Sequence, residues 1–347
     1  MVFVEKKFLT NTISFYIITL IFKLFETQSE MVTRMITKII GTGSCVPERI
    51  VTNDDLAQIV ETSDEWIQSR TGIRERRISE GADTAELAAG AAKAALENAG
   101  VSADDVDLIL VATSTPDHCF PNAACMVQAA IGAERAVAYD ISAACSGFLF
   151  AVNTAYAFLG SGIYKTALVI GADTLSKIVD WSDRSTCVLF GDGAGAALVE
   201  WGANYPSLHA VLGCRGNSEV LYVPGVNTAA PPHVHMDGQS VFRFAVEAVP
   251  RCAREVLDRA GLTPEDIDLF VFHQANQRII DFAVKKLGID PARCPGNIER
   301  TGNTSAASVP LLLDELVGGG AITSGQKALC VGFGGGLTWA GALLELA

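Results

Sequence analysis

The 347-residue sequence has no C-x-x-C pair among its nine cysteines, which are scattered and odd in number. That argues against a disulfide frame or a cysteine-built zinc site, and for reduced thiols in a cytoplasmic compartment. Positive charge is also scarce: 26 Lys and Arg face 39 Asp and Glu, a formal net charge of −13. Such a field repels nucleic acid and acidic lipid, so no nucleic-acid partner is expected, and an acidic partner needs a local basic patch. The apolar stretch from Ile13 to Phe25 is too short to span a bilayer, is interrupted by Lys23 and precedes no A-x-A cleavage site, so no stable membrane insertion is expected. A full G-x-G-x-x-G loop is missing. Gly191-Asp-Gly-Ala-Gly195 falls short of it and reads as a tight turn between short strands, with no dinucleotide implied. His233-Val-His235-Met-Asp237 follows Pro231-Pro232 in what reads as a loop and has no second ligand cluster, so no metal is expected.

What is present is a globular composition, 49% hydrophobic with 32 glycines. Residues 1–34 contain neither Ala nor Gly and read as a dispensable N-terminal extension or a mis-called start, with Met31 or Met35 the true beginning; a membrane-associating segment is the alternative. From Met35 onward, strand-like apolar runs alternate with Ala-rich helical stretches, the pattern of an α/β protein with buried sheets. Asp83 and Glu86 form a capping-box pattern that predicts a helix over Thr84 to Ala99, closed by Gly100, with a strand over Val106 to Thr113 after it. The sequence also repeats itself. Ala-Gly-Val-Ser-Ala-Asp-Asp-Val-Asp-Leu-Ile-Leu from Ala99 returns as Ala-Gly-Leu-Thr-Pro-Glu-Asp-Ile-Asp-Leu-Phe-Val from Ala260, and Lys165–Gly171 returns as Gln326–Gly332, both at an offset of 161 residues. Two similar halves follow, 35–205 and 206–347, meeting near Trp201 to Leu208 and packed about a pseudo-twofold axis.

The same offset carries Cys145 onto Ala306 and Ala112 onto His273, and sets Ser142-Ala-Ala-Cys-Ser-Gly147 against Asn303-Thr-Ser-Ala-Ala-Ser308. Cys145 lies between an apolar strand, Ala136 to Ile141, and an amphipathic helix, Gly147 to Leu159. A helix N-terminus lowers a thiol pKa, and the small neighbours allow a sharp nucleophile turn. A packed core cysteine is the alternative, and is the reading for the other eight. His273 ends the strand Ile267 to Phe272 and opens a polar run, where a structural histidine is the alternative.

Cys145 in Ser-Ala-Ala-Cys-Ser-Gly, His273 in His-Gln-Ala-Asn-Gln-Arg, Asn303 in Thr-Gly-Asn-Thr-Ser-Ala-Ala-Ser and the closing Gly332-Phe-Gly-Gly-Gly-Leu-Thr-Trp339 together resemble β-ketoacyl-acyl-carrier-protein synthase III, of the thiolase-like superfamily. The resemblance runs from about Met35 to Ala347 and includes Ser63-Asp-Glu-Trp-Ile-Gln-Ser-Arg-Thr-Gly-Ile-Arg74. It implies a five-layered αβαβα fold, a homodimer and an acyltransferase that initiates fatty acid synthesis from acyl-CoA and malonyl-acyl-carrier protein, both substrates, with no cofactor. Cys145 would be the nucleophile, His273 and Asn303 the donors for decarboxylation, and the backbone N–H groups of Cys145 and Gly335 an oxyanion hole. Thr62, Trp66, Arg70, Arg184, Gly238, Phe242 and Asn276 would bind CoA. Arg243, Gln274, Ala275, Asn276, Gln277, Arg278, Lys285 and Lys286 would meet the carrier protein, and Phe120 would shape the partner's acyl pocket. The rival readings are a specialised-metabolite ketosynthase, a thiolase, a Cys-His-Asn hydrolase and a non-catalytic scaffold. A thiolase would use a second cysteine, for which Cys330 is the candidate, and a Gly-His-Pro histidine where this chain has Thr301-Gly-Asn303.

Overall fold

The computed structural model describes residues 36–202, 208–225 and 228–346; the extension expected over 1–34, and 203–207 where the halves were expected to meet, lie outside the described residues. The first half supplies strands β1 (Ile36–Cys45), β2 (Ile50–Thr52), β3 (Glu75–Arg77), β4 (Leu108–Ala112), β5 (Val137–Ile141), β6 (Thr166–Thr174) and β7 (Asp192–Gly202). Its helices are α1 (Asn53–Leu56), α2 (Asp64–Thr71), α3 (Thr84–Ala99), α4 (Ala123–Ile131) and α5 (Gly147–Gly160). The second half supplies β8 (His209–Asn217), β9 (Leu221–Tyr222), β10 (His235–Met236), β11 (Leu269–Phe272), β12 (Lys327–Gly334) and β13 (Gly336–Glu345), with α6 (Gly238–Ala260), α7 (Gln277–Leu287), α8 (Ile298–Thr301) and α9 (Ser308–Gly318).

Strand order is β1-β7-β6-β4-β5 in one sheet and β8-β13-β12-β11 in the other, the same order with one strand fewer. In both, the strands that carry the repeat (β4 with β6, β11 with β12) run parallel, which buries them on both faces and accounts for apolar runs such as Leu108–Ala112. Helices α5 and α9 lie between the sheets: Phe148, Leu149 and Val152 of α5 and Val309, Leu312 and Leu313 of α9 share one core with Leu110 and Val169 of the first sheet and Val271 and Ala342 of the second. Outside, α3 and α4 cover the first sheet and α6 and α7 the second. The result is five layers, αβαβα.

The offset of 161 survives in three dimensions. Helices α3 and α6 end at Ala99 and Ala260, each closed by a left-handed glycine, Gly100 and Gly261. The short 3-10 turns Ala144–Ser146 and Ser305–Ala307 open α5 and α9, and the non-glycine residues of positive φ, Ala144 (47°) and Ser305 (51°), are repeat mates. Left-handed backbone costs a residue with a Cβ about 1–2 kcal/mol.

The helix over Thr84 to Ala99 has the expected bounds and both arms of its capping box. Four expectations need correction. The strands before the two sites begin two residues late, at Leu108 and Leu269, because 3-10 turns (Ala103–Asp105, Pro264–Asp266) precede them; Asp107 and Asp268 instead accept the backbone N–H groups of Lys165 and Lys327, each at 2.8 Å. Helix α5 is not amphipathic, since sheets cover it on both sides. Gly191–Gly195 is no turn: from Asp192 it is the start of β7. A Cβ on Gly195 would lie 2.5 Å from Leu311 N, so glycine there lets α9 press against the strand. Finally the apolar strand expected over Ala136 to Ile141 is β5, Val137–Ile141, and it lies at a sheet edge with Val137 46% exposed.

Candidate active site

At the meeting of the halves lies a cavity of about 990 Å³ whose lining includes Cys145, His273, Asn303, Ser305, Phe333 and Gly334–Gly336. Cys145 sits in the turn from β5 to α5. Ser146 and Thr338 hold that turn against β13: Ser146 Oγ donates to Ala143 O at 2.8 Å and Thr338 Oγ1 to the same carbonyl at 3.1 Å. Strand β12 passes so close that a Cβ on Gly334 would lie 2.6 Å from Cys145 N, and one on Gly332 would lie 3.2 Å from Cys145 O. Glycines here bring the end of β12 alongside the N–H of Cys145.

The expectation of a lowered thiol pKa is overturned. Burial pushes the Cys145 thiol up to about 12; the Ser305 hydroxyl opposes this and the nearby Asp173 carboxylate adds to it, so desolvation outweighs the helix terminus. His273, 2% exposed, is fixed by its main-chain N–H, which donates to Val331 O at 2.8 Å, and by an edge contact of its ring with Phe333 at 5.2 Å. Burial lowers its pKa to about 3, so the imidazole is neutral. Asn303 is held by main-chain bonds to Leu189 O (2.8 Å) and from Gly191 N (3.0 Å), and its Oδ1 accepts from Ser305 N at 2.9 Å. That bond fixes the orientation of the amide, whose donor end is Nδ2. The cavity thus sets a half-buried cysteine, a neutral imidazole and an amide donor in one lining, suited to a nucleophile and an anion-stabilising pair.

Trp66, Arg70, Gly238, Phe242, Arg243, Ala275, Asn276 and Arg278 line the same cavity. The guanidinium groups of Arg70 and Arg184 stand 4.9 and 5.1 Å from the Trp66 ring, and Arg278 lies 5.3 Å from that of Phe242. Thr62, half-buried, is not in the lining, and its Oγ1 is buried with no hydrogen-bond partner among the described residues. Asn276 caps α7 and donates to Arg70 O at 3.0 Å. Gln277 bonds Asp281 within α7, whose last turn carries the exposed Lys285 and Lys286. Gln274 is a correction: 1% exposed, it donates to Phe272 O at 2.7 Å and accepts from Asn297 N and Ile298 N, so it braces the strand end behind His273 and offers a carrier protein nothing. Phe120 is 86% exposed and outside this lining. Among the described residues no cluster of His, Cys, Asp and Glu is arranged for a metal, and no helix is long and apolar enough to cross a membrane. The sequence reading missed Asp173 and Ser305; the one signal for Ser305 was its register with Ala144 in the repeat.

Residues 139–216 match the family profile described as 3-oxoacyl-[acyl-carrier-protein (ACP)] synthase III, and residues 257–346 that of its C terminal. A β-ketoacyl-[acyl-carrier-protein] synthase III from Clostridium acetobutylicum is 49% identical over 318 residues, 89% of this chain and 98% of the relative. That of Caldanaerobacter subterraneus is 48% identical over 328 residues, 91% and 99%. The crystal structure of 3-oxoacyl-[acyl-carrier-protein] synthase III from Aquifex aeolicus superposes with a TM-score of 0.86 at 46% identity, covering 89% of this chain and 99% of that one.

Proposed function

The chain belongs to the β-ketoacyl-[acyl-carrier-protein] synthase III family of acyltransferases, and on that premise we propose how its own residues carry out the initiating condensation. The primer acyl-CoA enters along Trp66, Arg70, Phe242 and Asn276, with Arg184 closing over Trp66. Cys145 sulfur attacks the thioester carbonyl, CoA leaves, and the acyl group is held as a new thioester. Malonyl-acyl-carrier protein follows. Loss of carbon dioxide leaves an enolate whose oxygen takes hydrogen bonds from the neutral His273 imidazole and Asn303 Nδ2. The enolate carbon attacks the Cys145 acyl carbonyl, whose oxygen is met by the backbone N–H groups of Cys145 and Gly335, and the Cys145 sulfur is expelled with 3-oxoacyl-carrier protein as product. No step calls for a cofactor. A thiolate nucleophile splits one hard carbon–carbon bond formation into two easier transfers. A neutral donor suits the enolate because decarboxylation has no proton to remove.

The observation that carries this reading is the joint lining of one cavity by Cys145, His273 and Asn303, drawn from opposite halves of the repeat. Arg243, Arg278, Lys285 and Lys286, on α6 and α7, supply the positive ground an acidic carrier protein needs on a chain of net charge −13. The open edge of β5 and the bare Phe120 ring suit a homodimer in which Phe120 reaches the partner's acyl pocket; the setting is the cytoplasm. The test is covalent trapping: acyl-CoA alone should add one acyl mass to the wild type and none to Cys145→Ala, and added malonyl-carrier protein should discharge it as the 3-oxoacyl product. A label found on any residue but Cys145 refutes the assignment.

A further inference from the structure

The place of the His273 ring depends on the two peptide groups that flank it, and all four of their polar atoms are bonded. In the first peptide, His273 N donates to Val331 O of β12 at 2.8 Å, and Phe272 O accepts from Gln274 Nε2 at 2.7 Å. In the second, His273 O accepts from Ala275 N at 3.0 Å, and Gln274 N donates to Ser308 Oγ at 2.7 Å. Two of these four bonds therefore run through Gln274, one by its side chain and one by its main chain.

The far ends of those links lie around the segment that carries the second donor. Gln274 Oε1 accepts from Asn297 N (3.1 Å) and Ile298 N (3.2 Å), where α8 opens, and α8 leads through Gly302 to Asn303. Ser308 opens α9, five residues beyond Asn303. Asn303 has its own anchorage on the first half, through Leu189 O and Gly191 N. Gln274 is 1% exposed and Ser308 fully buried, and neither lines the catalytic cavity, so neither meets a substrate there. A primary amide donates and accepts at once, which a place between a carbonyl on one side and two N–H groups on the other requires. An ionised carboxylate would only accept, and a thioether would leave all three groups unpaired.

We propose that Gln274 is a positioning residue for decarboxylation: its amide clamps the Phe272 carbonyl to the opening of α8 and so sets the His273 imidazole against the separately anchored Asn303. The proposal rests on His273 and Asn303 being the pair that receives the enolate oxygen. Cys145 is held by other contacts, those of Ser146, Thr338 and the β12 glycines, so the clamp bears on the second half-reaction and not on the first. Misplacing a reacting group by about 1 Å costs on the order of 10²-fold in rate.

The test separates the half-reactions in the full chain. Gln274→Met keeps the length of the side chain and removes the amide. It should lower kcat for decarboxylation of malonyl-carrier protein about tenfold or more, leave KM for that substrate within about twofold, and leave acylation by acyl-CoA at the wild-type rate. Placed on His273→Ala, the same substitution should cost less than about twofold, because no imidazole is left to position. Gly296→Ala perturbs the clamp from an exposed site: its methyl would lie 2.7 Å from Gln274 Oε1, inside the 3.4 Å at which ordinary contact begins, and should give a smaller loss of the same pattern. A wild-type decarboxylation rate in Gln274→Met, or in Gly296→Ala should the first not fold, would overturn the clamp. So would a raised KM with kcat intact, which marks a carrier-protein contact, an equal fall in acylation, or an undiminished loss on His273→Ala. If His273→Ala alone decarboxylates at the wild-type rate, the failure lies instead in the role given to His273 under the proposed function.

Discussion

The closeness of β12 to the nucleophile turn makes Gly334→Ala a quantitative probe. The added methyl would sit 2.6 Å from Cys145 N, 3.1 Å from Ala144 Cβ and 3.2 Å from Cys145 Cβ, where ordinary contact begins at 3.4 Å. The worst gap is short by about 0.8 Å, and none of the atoms in the way belongs to a flexible side-chain end, so the strand or the turn must move. Overpacking of this kind costs about 1–3 kcal/mol of stability. A displacement approaching 1 Å at a reacting centre costs on the order of 10²-fold in rate. Gly332→Ala, whose methyl would lie 3.2 Å from Cys145 O and Ser146 Cα, asks for about 0.2 Å and should be milder on both counts. Gly318→Ala, at the end of α9 with open space around it, should leave acylation unchanged and stability unchanged or raised by up to about 1 kcal/mol. Stopped acylation by acyl-CoA, read by intact mass, gives the rates, and urea unfolding gives the stabilities. If Gly334→Ala acylates at the wild-type rate, or Gly332→Ala is the more damaged, the close approach does not position the nucleophile.

Three further outcomes follow from other parts of the molecule. His273→Ala and Asn303→Ala should keep acyl-enzyme formation while decarboxylation of malonyl-carrier protein falls on the order of 10²-fold or more; equal loss in both half-reactions contradicts the division of roles. Because the folded pKa of His273 is depressed to about 3, its neutral form is favoured in the fold: stability is fully present above pH 6.5 and lost as pH falls, at about 1.4 kcal/mol per unit at most, so His273→Ala should flatten the acid limb of urea stability between pH 6.5 and 5, and parallel limbs would contradict this. Arg243→Glu combined with Lys285→Glu should raise KM for malonyl-carrier protein at least tenfold and leave that for acyl-CoA alone, while Phe120→Asp should shift the protein toward monomer in sedimentation. A shared rise in both KM values, or a Phe120→Asp dimer, would count against these surfaces.

Local chemistry and repetition were readable in the sequence wherever they act through near neighbours. The capping box at Asp83, the glycine stop at Gly100 and the register between Ala99 and Ala260 all survive, because each is settled within a turn or two of chain. Cys145, His273 and Asn303 were legible from their short patterns, and the structure brings them to one cavity. What failed depends on contacts distant in sequence. Gly195 reads as turn-forming until α9 is seen lying on it. Gln274 reads as a polar surface group until its three partners, Phe272 O, Asn297 N and Ile298 N, close around it. The thiol of Cys145 reads as acidified by a helix until the weight of protein over it is counted. Asp173 could not be picked from 39 acidic residues without its five hydrogen-bond donors in view.

The repeat sets a residue almost without a side chain opposite four of these groups, Ala306 for Cys145, Ala112 for His273, Gly334 for Asp173 and Ala144 for Ser305, and Ser142 opposite Asn303. Symmetry therefore supplies the scaffold and its breaking supplies the workspace. Each half is hollowed out where the other is armed, so a chain with two copies of one architecture houses a single reaction chamber and should bind one acyl equivalent, not two. Restoring the missing arm at Gly334 or Ala306 would not create a second centre; it would fill the first.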